Sequence, residues 1–452
     1  MSDNHGENYG ETRVLHEIRG EIEETRTNLS RTLNELQERL NPENIKAKIA
    51  QSVHETASNQ LHKLGETAET KARQLQHAAA PLIEMAQQKI GEIRHKFDAK
   101  NGDANAEFAS SSTRSSLDKT LKPIGEQVVV VFGASSGIGR ETAIRFAQKG
   151  ASVVVASRGE EALKTLVHSI ENFGGNAIYV VADAADFASV KAVADRAVEE
   201  FGRLDTWVHC AGISLYARFE NTHPDEFKRI VDINLTGQAY GAMAALPHLK
   251  SQGRGALIHV SSVEARRAFP LQSAYSASKH GIIGFLDALR MELEEAQIPI
   301  AVTNVMPSGI NTPLFNHART KLGVKPMPVP PIYQTSTVAD VILHAAEHPT
   351  RDIYAGGAGR MMATMHKISP ALMDKMSIHS AFKAQMTTEE KSIESPDNLF
   401  EPLQSHGRVG GDFFTHAKGK SVSNWLETHP HAHRVLKGAL IGGAAMWILR
   451  RK

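Results

Sequence analysis

Tyr275 and Lys279 stand four residues apart in SAYSASKHG (273–281), so on a helix they share one face. A phenol titrating at about 10 is a poor base at neutral pH, and a nearby ammonium stabilises its phenolate. Such a pair can move a proton to or from a substrate oxygen. Ser262 follows the apolar run GALIHV (255–260), where its hydroxyl can hold a carbonyl oxygen, and Asn234 in DINLTG falls on the helical stretch before that run. A lone Tyr-x-x-x-Lys pair is usually a solvated helix face, so this pair gains meaning only from the residues around it.

VVVVFGASSGIGR (128–140) reads as a strand, a glycine turn and a helix start. Gly133 permits the tight turn, Gly137 lets backbone approach a pyrophosphate, and Gly139 lets helix and strand pack closely. Phosphates would sit at the helix N-terminus, where free N–H groups and the dipole favour anions, with Ser135, Ser136, Ile138 and Arg140 around them. The spacing is G-x-x-x-G-x-G rather than G-x-G-x-x-G, and a turn without a ligand is the plain alternative. The next apolar run ends in Ser157-Arg158 and offers no carboxylate for an unphosphorylated ribose. Arg158, with Arg140, suits a 2′-phosphate and favours NADP(H) over NAD(H), although either can be a solvated surface arginine. Asp183 is placed to meet an adenine amino group or to cap a helix.

The elements that must hold these groups alternate regularly. QVVVVF, SVVVA, AIYVVA, TWVHC, GALIHV and IAVTNV are short apolar runs separated by helical patterns, with Val338–His348 and Asp352–Ala355 as a last helix and strand. Near-continuous β-branched runs between helices imply strands buried on both faces, hence a doubly wound parallel α/β sheet with loops along one edge.

GASSGIG, Asn234, Ser262, Tyr275 and Lys279, in this order over residues 124–360, resemble the short-chain dehydrogenase/reductase family. The resemblance implies a Rossmann-like core and NAD(P)-dependent carbonyl/alcohol chemistry. It makes Tyr275 the acid/base, with Lys279 binding the nicotinamide ribose and depressing the tyrosine pKa. Ser262 would orient the substrate oxygen and Asn234 would support a proton relay. It also brings Ala211 and Gly212 to the cofactor, and Pro307, Ile310 and Thr312 over the nicotinamide. Two departures stand out: His209-Cys210-Ala211-Gly212 where the family has Asn-Asn-Ala-Gly, and Pro307-Ser308 where it has Pro-Gly. No metal is implied, and H-x-H-x-H at 429–433 reads as a solvated stretch.

Lys plus Arg (51) balance Asp plus Glu (50) in 452 residues, which gives no support to nucleic-acid binding. The single Cys210 excludes an internal disulfide, and the N-terminus has no apolar signal, so a cytoplasmic protein is expected. Residues 11–97 carry a helical apolar stripe read as amphipathic helices rather than a sustained coiled coil. IRGEIEETRTNLSRTLNELQERLNP within them is similar to a small helical domain of unknown function at the front of bacterial membrane-associated proteins. Residues 98–120 read as a flexible linker and 121–360 as the catalytic domain. KPMPVPP (325–331) is expected to run over the surface, and 361–434 is expected to be partly disordered. VLKGALIGGAAMWIL (435–449), closed by three cations, resembles an anchor at the cytoplasmic membrane. The expected partners are a small carbonyl or alcohol substrate and a second copy of the chain. A membrane-tethered nucleotide-binding scaffold without turnover is the alternative reading.

Overall fold

The computed structural model describes residues 117–403 and 407–429. They belong to the second of two units into which the chain divides after Arg114. The helical region 11–97, most of the linker, His431, His433 and the apolar segment 435–449 lie outside the described residues.

The apolar runs form seven strands: β1 (Val128–Phe132), β2 (Ser152–Ser157), β3 (Asn176–Val181), β4 (Thr206–His209), β5 (Gly255–Val260), β6 (Ile300–Pro307) and β7 (Asp352–Ala355). They pair in the order β7-β6-β5-β4-β1-β2-β3, all parallel. Side chains alternate across the sheet, and both faces are covered. Val129 and Val131 pack with Phe146, Leu166, Ile170, Val338 and Ile342 on one face. Val128, Val130 and Phe132 pack with Val193, Trp207, Leu249, Ile282 and Leu286 on the other. The edge strand β3 instead exposes alternate residues, Tyr179 and Val181 among them. The strand order reverses between β1 and β4, so a crevice opens beyond their carboxyl ends.

The helices follow from their caps and stripes. α1 (Gly137–Gln148) and α2 (Glu160–Glu171) come first. The Asp186 carboxylate then accepts the Ala188 and Ser189 N–H groups to start α3 (Phe187–Phe201), which left-handed Gly202 ends. α4 (Pro224–Val231) runs through a π-helical turn, Asp232–Thr236, into α5 (Gly237–Ser251), and that turn carries Asn234. α6 (Ser273–Glu295) and α7 (Thr335–Glu347) complete the layers.

Two stretches differ from the sequence expectation. Lys325, Pro326 and Pro328 are buried, because Val324–Pro326 pairs antiparallel with Met386–Glu390. Residues 361–429 are also more ordered than expected where they are described. α8 (Gly357–Ile368), α9 (Pro370–Ala384) and α10 (Val422–Thr428) form, and Ala417–Lys418 adds to a small sheet with Ile332–Gln334 and Gly309–Asn311. Buried residues hold this extension: Leu399 in the main core, Phe413 against Phe315, and Met373, Ser377 and Ala381 on one face of α9.

Candidate active site

The turn between β1 and α1 is built for close backbone approach. Gly133 sits at φ 88°, and a Cβ there would lie 2.4 Å from the Ala211 nitrogen. A Cβ on Gly139 would lie 2.2 Å from the Gly133 carbonyl oxygen, so helix and turn touch through backbone alone. Cys210 N–H donates to Phe132 O at 2.7 Å, tying the end of β4 to β1 where the sequence lacks an asparagine. This cradle at a helix N-terminus fits a dinucleotide pyrophosphate.

One cleft of about 250 Å³ gathers the expected residues. Gly133, Ser135, Ser136, Gly137, Ile138, Gly139 and Arg158 line it. Ala211, Gly212, Pro307, Ile310 and Thr312 line it too, with Thr312 against Gly137. Ser262, Tyr275 and Lys279 complete the lining. Ser262 follows β5 and caps a short turn through Glu264 N–H, while α6 presents Tyr275 and Lys279 one turn apart. The Lys279 ammonium donates to Val260 O at 3.1 Å and stands 5.4 Å from the centre of the Tyr275 ring. Asn234 lies behind the wall: its Oδ1 accepts Ile213 N–H at 2.8 Å and its Nδ2 donates to Ile213 O at 2.9 Å. It clamps the backbone next to Gly212.

Three expected residues are engaged differently. Arg140 does not line the cleft; its guanidinium donates to Ala162 O at 2.7 Å and Thr165 Oγ1 at 3.2 Å, joining α1 to α2. That buried carbonyl captures the side chain before it can reach a phosphate. The Asp183 carboxylate accepts Arg229 Nη2 at 2.8 Å and Ala185 N–H at 2.9 Å, so it is neither a free adenine partner nor the cap of α3, which Asp186 supplies. Arg158 stays in the cleft, but its guanidinium donates to the carbonyls of Asn398 and Phe400.

The electrostatics also depart from expectation. Burial, then the neighbouring Glu264, hold the Tyr275 phenol above its usual value, and a hydrogen bond with Ser262 pulls the other way. Burial pushes the neighbouring Lys279 itself down to about 8, against the pull of Cys210 and Glu264. Glu264, absent from the sequence reading, is the one carboxyl side chain on the cleft wall among the described residues. Burial pushes it up to about 8, against hydrogen bonds from Ser276 Oγ (2.7 Å) and Gln272 Nε2 (3.2 Å). A charged residue set between Ser262 and buried Ala265, at the end of an apolar strand, was its available signal. Tyr216, Phe269, Leu314, Phe315, Met327 and Val329 add an apolar part to the lining.

Residues 127–323 match the family described as short chain dehydrogenase, and residues 13–58 match a protein family of unknown function, DUF3618. The chain is 34% identical over 339 residues to the uncharacterized oxidoreductase YxnA of Bacillus subtilis, covering 74% of this chain and 92% of that protein. It is 34% identical over 236 residues to trans-4-hydroxycyclohexanecarboxylate dehydrogenase of Sinomonas cyclohexanicum, covering 51% and 89%. The fold is similar to the crystal structure of a short chain dehydrogenase/reductase from Burkholderia phymatum in complex with NAD. That similarity has a TM-score of 0.52 and 22% identity over 56% of this chain and 96% of the other.

Proposed function

The chain belongs to the short-chain dehydrogenase family of oxidoreductases, and on that premise we propose that it interconverts a carbonyl and a secondary alcohol with NADP(H). The observation that carries this reading is the convergence of Ser262, Tyr275 and Lys279 in the same cleft as the glycine cradle. When bound, NADP(H) supplies or accepts the hydride at the substrate carbon. Gly137 and Ile138 would hold its phosphates and Arg158 its 2′-phosphate, with Ala211 and Gly212 along the cofactor and Pro307, Ile310 and Thr312 at the nicotinamide.

Tyr275 is protonated at neutral pH, because burial and Glu264 disfavour the phenolate. It is therefore set to donate its Oη proton to a carbonyl oxygen that Ser262 holds. In the other direction the phenolate has to form, and the Lys279 cation 5.4 Å from the ring stabilises it. Asn234 keeps the Gly212–Ile213 backbone in place beside Lys279. The apolar part of the lining favours an alcohol or ketone with hydrocarbon bulk. A homo-oligomer and an anchor at 435–449 are part of the same reading, supported by the sequence alone. Among the described residues no helix is long and apolar enough to cross a membrane.

Tyr275→Phe tests the assignment: turnover of any carbonyl found by screening should fall at least a thousandfold, while NADPH fluorescence titration stays within about threefold of wild type. Substantial residual turnover in that variant refutes the role of Tyr275.

A further inference from the structure

We propose that Asp397–Leu403, together with the Arg408 carbonyl, is an internal occupant of the dinucleotide site that NADP(H) must displace in order to bind. Two recognition points of the cleft, and the Asp183–Arg229 pair near Arg158, are already met by this part of the C-terminal extension. Arg158 Nη2 donates to Asn398 O and Nη1 to Phe400 O, both at 2.7 Å. Gly137 N–H, at the start of α1, donates to Arg408 O at 3.0 Å. Arg229, which holds the Asp183 carboxylate, also donates from Nε to Leu399 O at 3.2 Å. Arg158 and the Gly137 N–H are the groups that would otherwise face a 2′-phosphate and a pyrophosphate.

The stretch is seated rather than merely adjacent. Leu399 is fully buried in the main core, and Asn398, Pro402 and Leu403 line the cleft. Asp397 pairs with Arg319 at 2.7 Å, and Asn398 N–H donates to His317 O at 3.0 Å. Arg319 also stands over the Phe400 ring. The partners it offers Arg158 are neutral carbonyls, whereas a phosphate is a charged, forked acceptor that a guanidinium prefers. Exchange can therefore run toward bound cofactor, with release of the seat as a step before binding.

This inference rests on the NADP(H) reading of the cleft, and the test separates the two. Hydrogen exchange of the full chain would be followed in peptides spanning 397–403, with and without saturating NADPH. Stopped-flow NADPH fluorescence would be recorded for wild type, Leu399→Ala and Asp397→Asn. Displacement predicts exchange at least fivefold faster in 397–403 on binding, and association at least tenfold faster in both variants. Exchange that slows or stays the same, with unchanged association rates, overturns the proposal and makes the stretch a fixed wall of the site. Should either variant fail to fold, the wild-type exchange result decides alone. Absence of NADPH binding in wild type and both variants refutes the cofactor reading instead, and with it the inference.

Discussion

Glu264→Gln isolates the most perturbed carboxyl of the cleft. Its folded pKa is about 8 against an ordinary 4.5. The folded chain keeps this proton over a range in which the unfolded chain releases it. The contribution to stability is therefore complete below 4.5 and is lost as pH rises toward 8. Between about pH 5 and about pH 7.5 the loss amounts to about 3 kcal/mol, at about 1.4 kcal/mol per pH unit once the unfolded carboxyl is ionised. Glutamine cannot titrate, and it retains an acceptor for the Ser276 hydroxyl. Lys279, at about 8, remains mostly charged through this window and is common to both proteins. Guanidinium-chloride unfolding of wild type and variant at the two pH values gives the difference directly, with all other titrations cancelling. The variant should gain about 3 kcal/mol relative to wild type on going to the higher pH. An identical gap at both pH values would show that Ser276, Gln272 and Lys279 hold a charged carboxylate, and would refute the assignment. In the kinetics, removal of this charge from beside Tyr275 should move the alkaline limb of the rate profile to lower pH.

Gly139→Ala places a methyl against the Gly133 carbonyl. Isothermal titration should show dinucleotide binding weakened at least tenfold, and unfolding a stability loss of about 1–3 kcal/mol. His209 and His259 stack at 6.3 Å in the core behind the cleft, and burial first holds His209 well below 6.5 and His259 at about 3. Both stay neutral when folded, so stability falls as pH drops below 6.5; His259 alone costs about 2 kcal/mol by about pH 5, and His259→Gln should remove that share of the acid slope in urea melts. Arg158→Ala should collapse the NADPH-over-NADH affinity ratio at least tenfold, about 1.4 kcal/mol, in paired fluorescence titrations; an unchanged ratio would discard Arg158 as the phosphate contact.

Much of the core was legible because its signals are local. Val128–Phe132 and Gly255–Val260 are continuous apolar runs buried on both faces, and each became a central strand. Tyr275, Lys279 and Ser262 converge because a helix turn and a strand end fix them over short spans. What failed is long-range. Nothing near Asp183 announces Arg229, which arrives from α4, and nothing near Arg140 announces the carbonyl of Ala162 on the next helix. The order of the C-terminal extension is not legible locally, because Leu399 and Phe413 are held by partners that lie far back in the chain. Glu264 was missed because its unusual state comes from burial, which a residue type alone does not reveal.

The seat of Leu399 also bears on how the protein is made. β1 is the first strand of the sheet to leave the ribosome, and its neighbours β2 and β4 follow within about eighty residues. The glycine cradle between β1 and α1 can thus assemble early in synthesis. Its covering stretch emerges some 270 residues later, and Asn424, which holds Gly356 N–H and Thr337 O, later still. A nascent chain therefore presents an uncovered cradle for many seconds at ordinary elongation rates, before the stretch that shuts it is made.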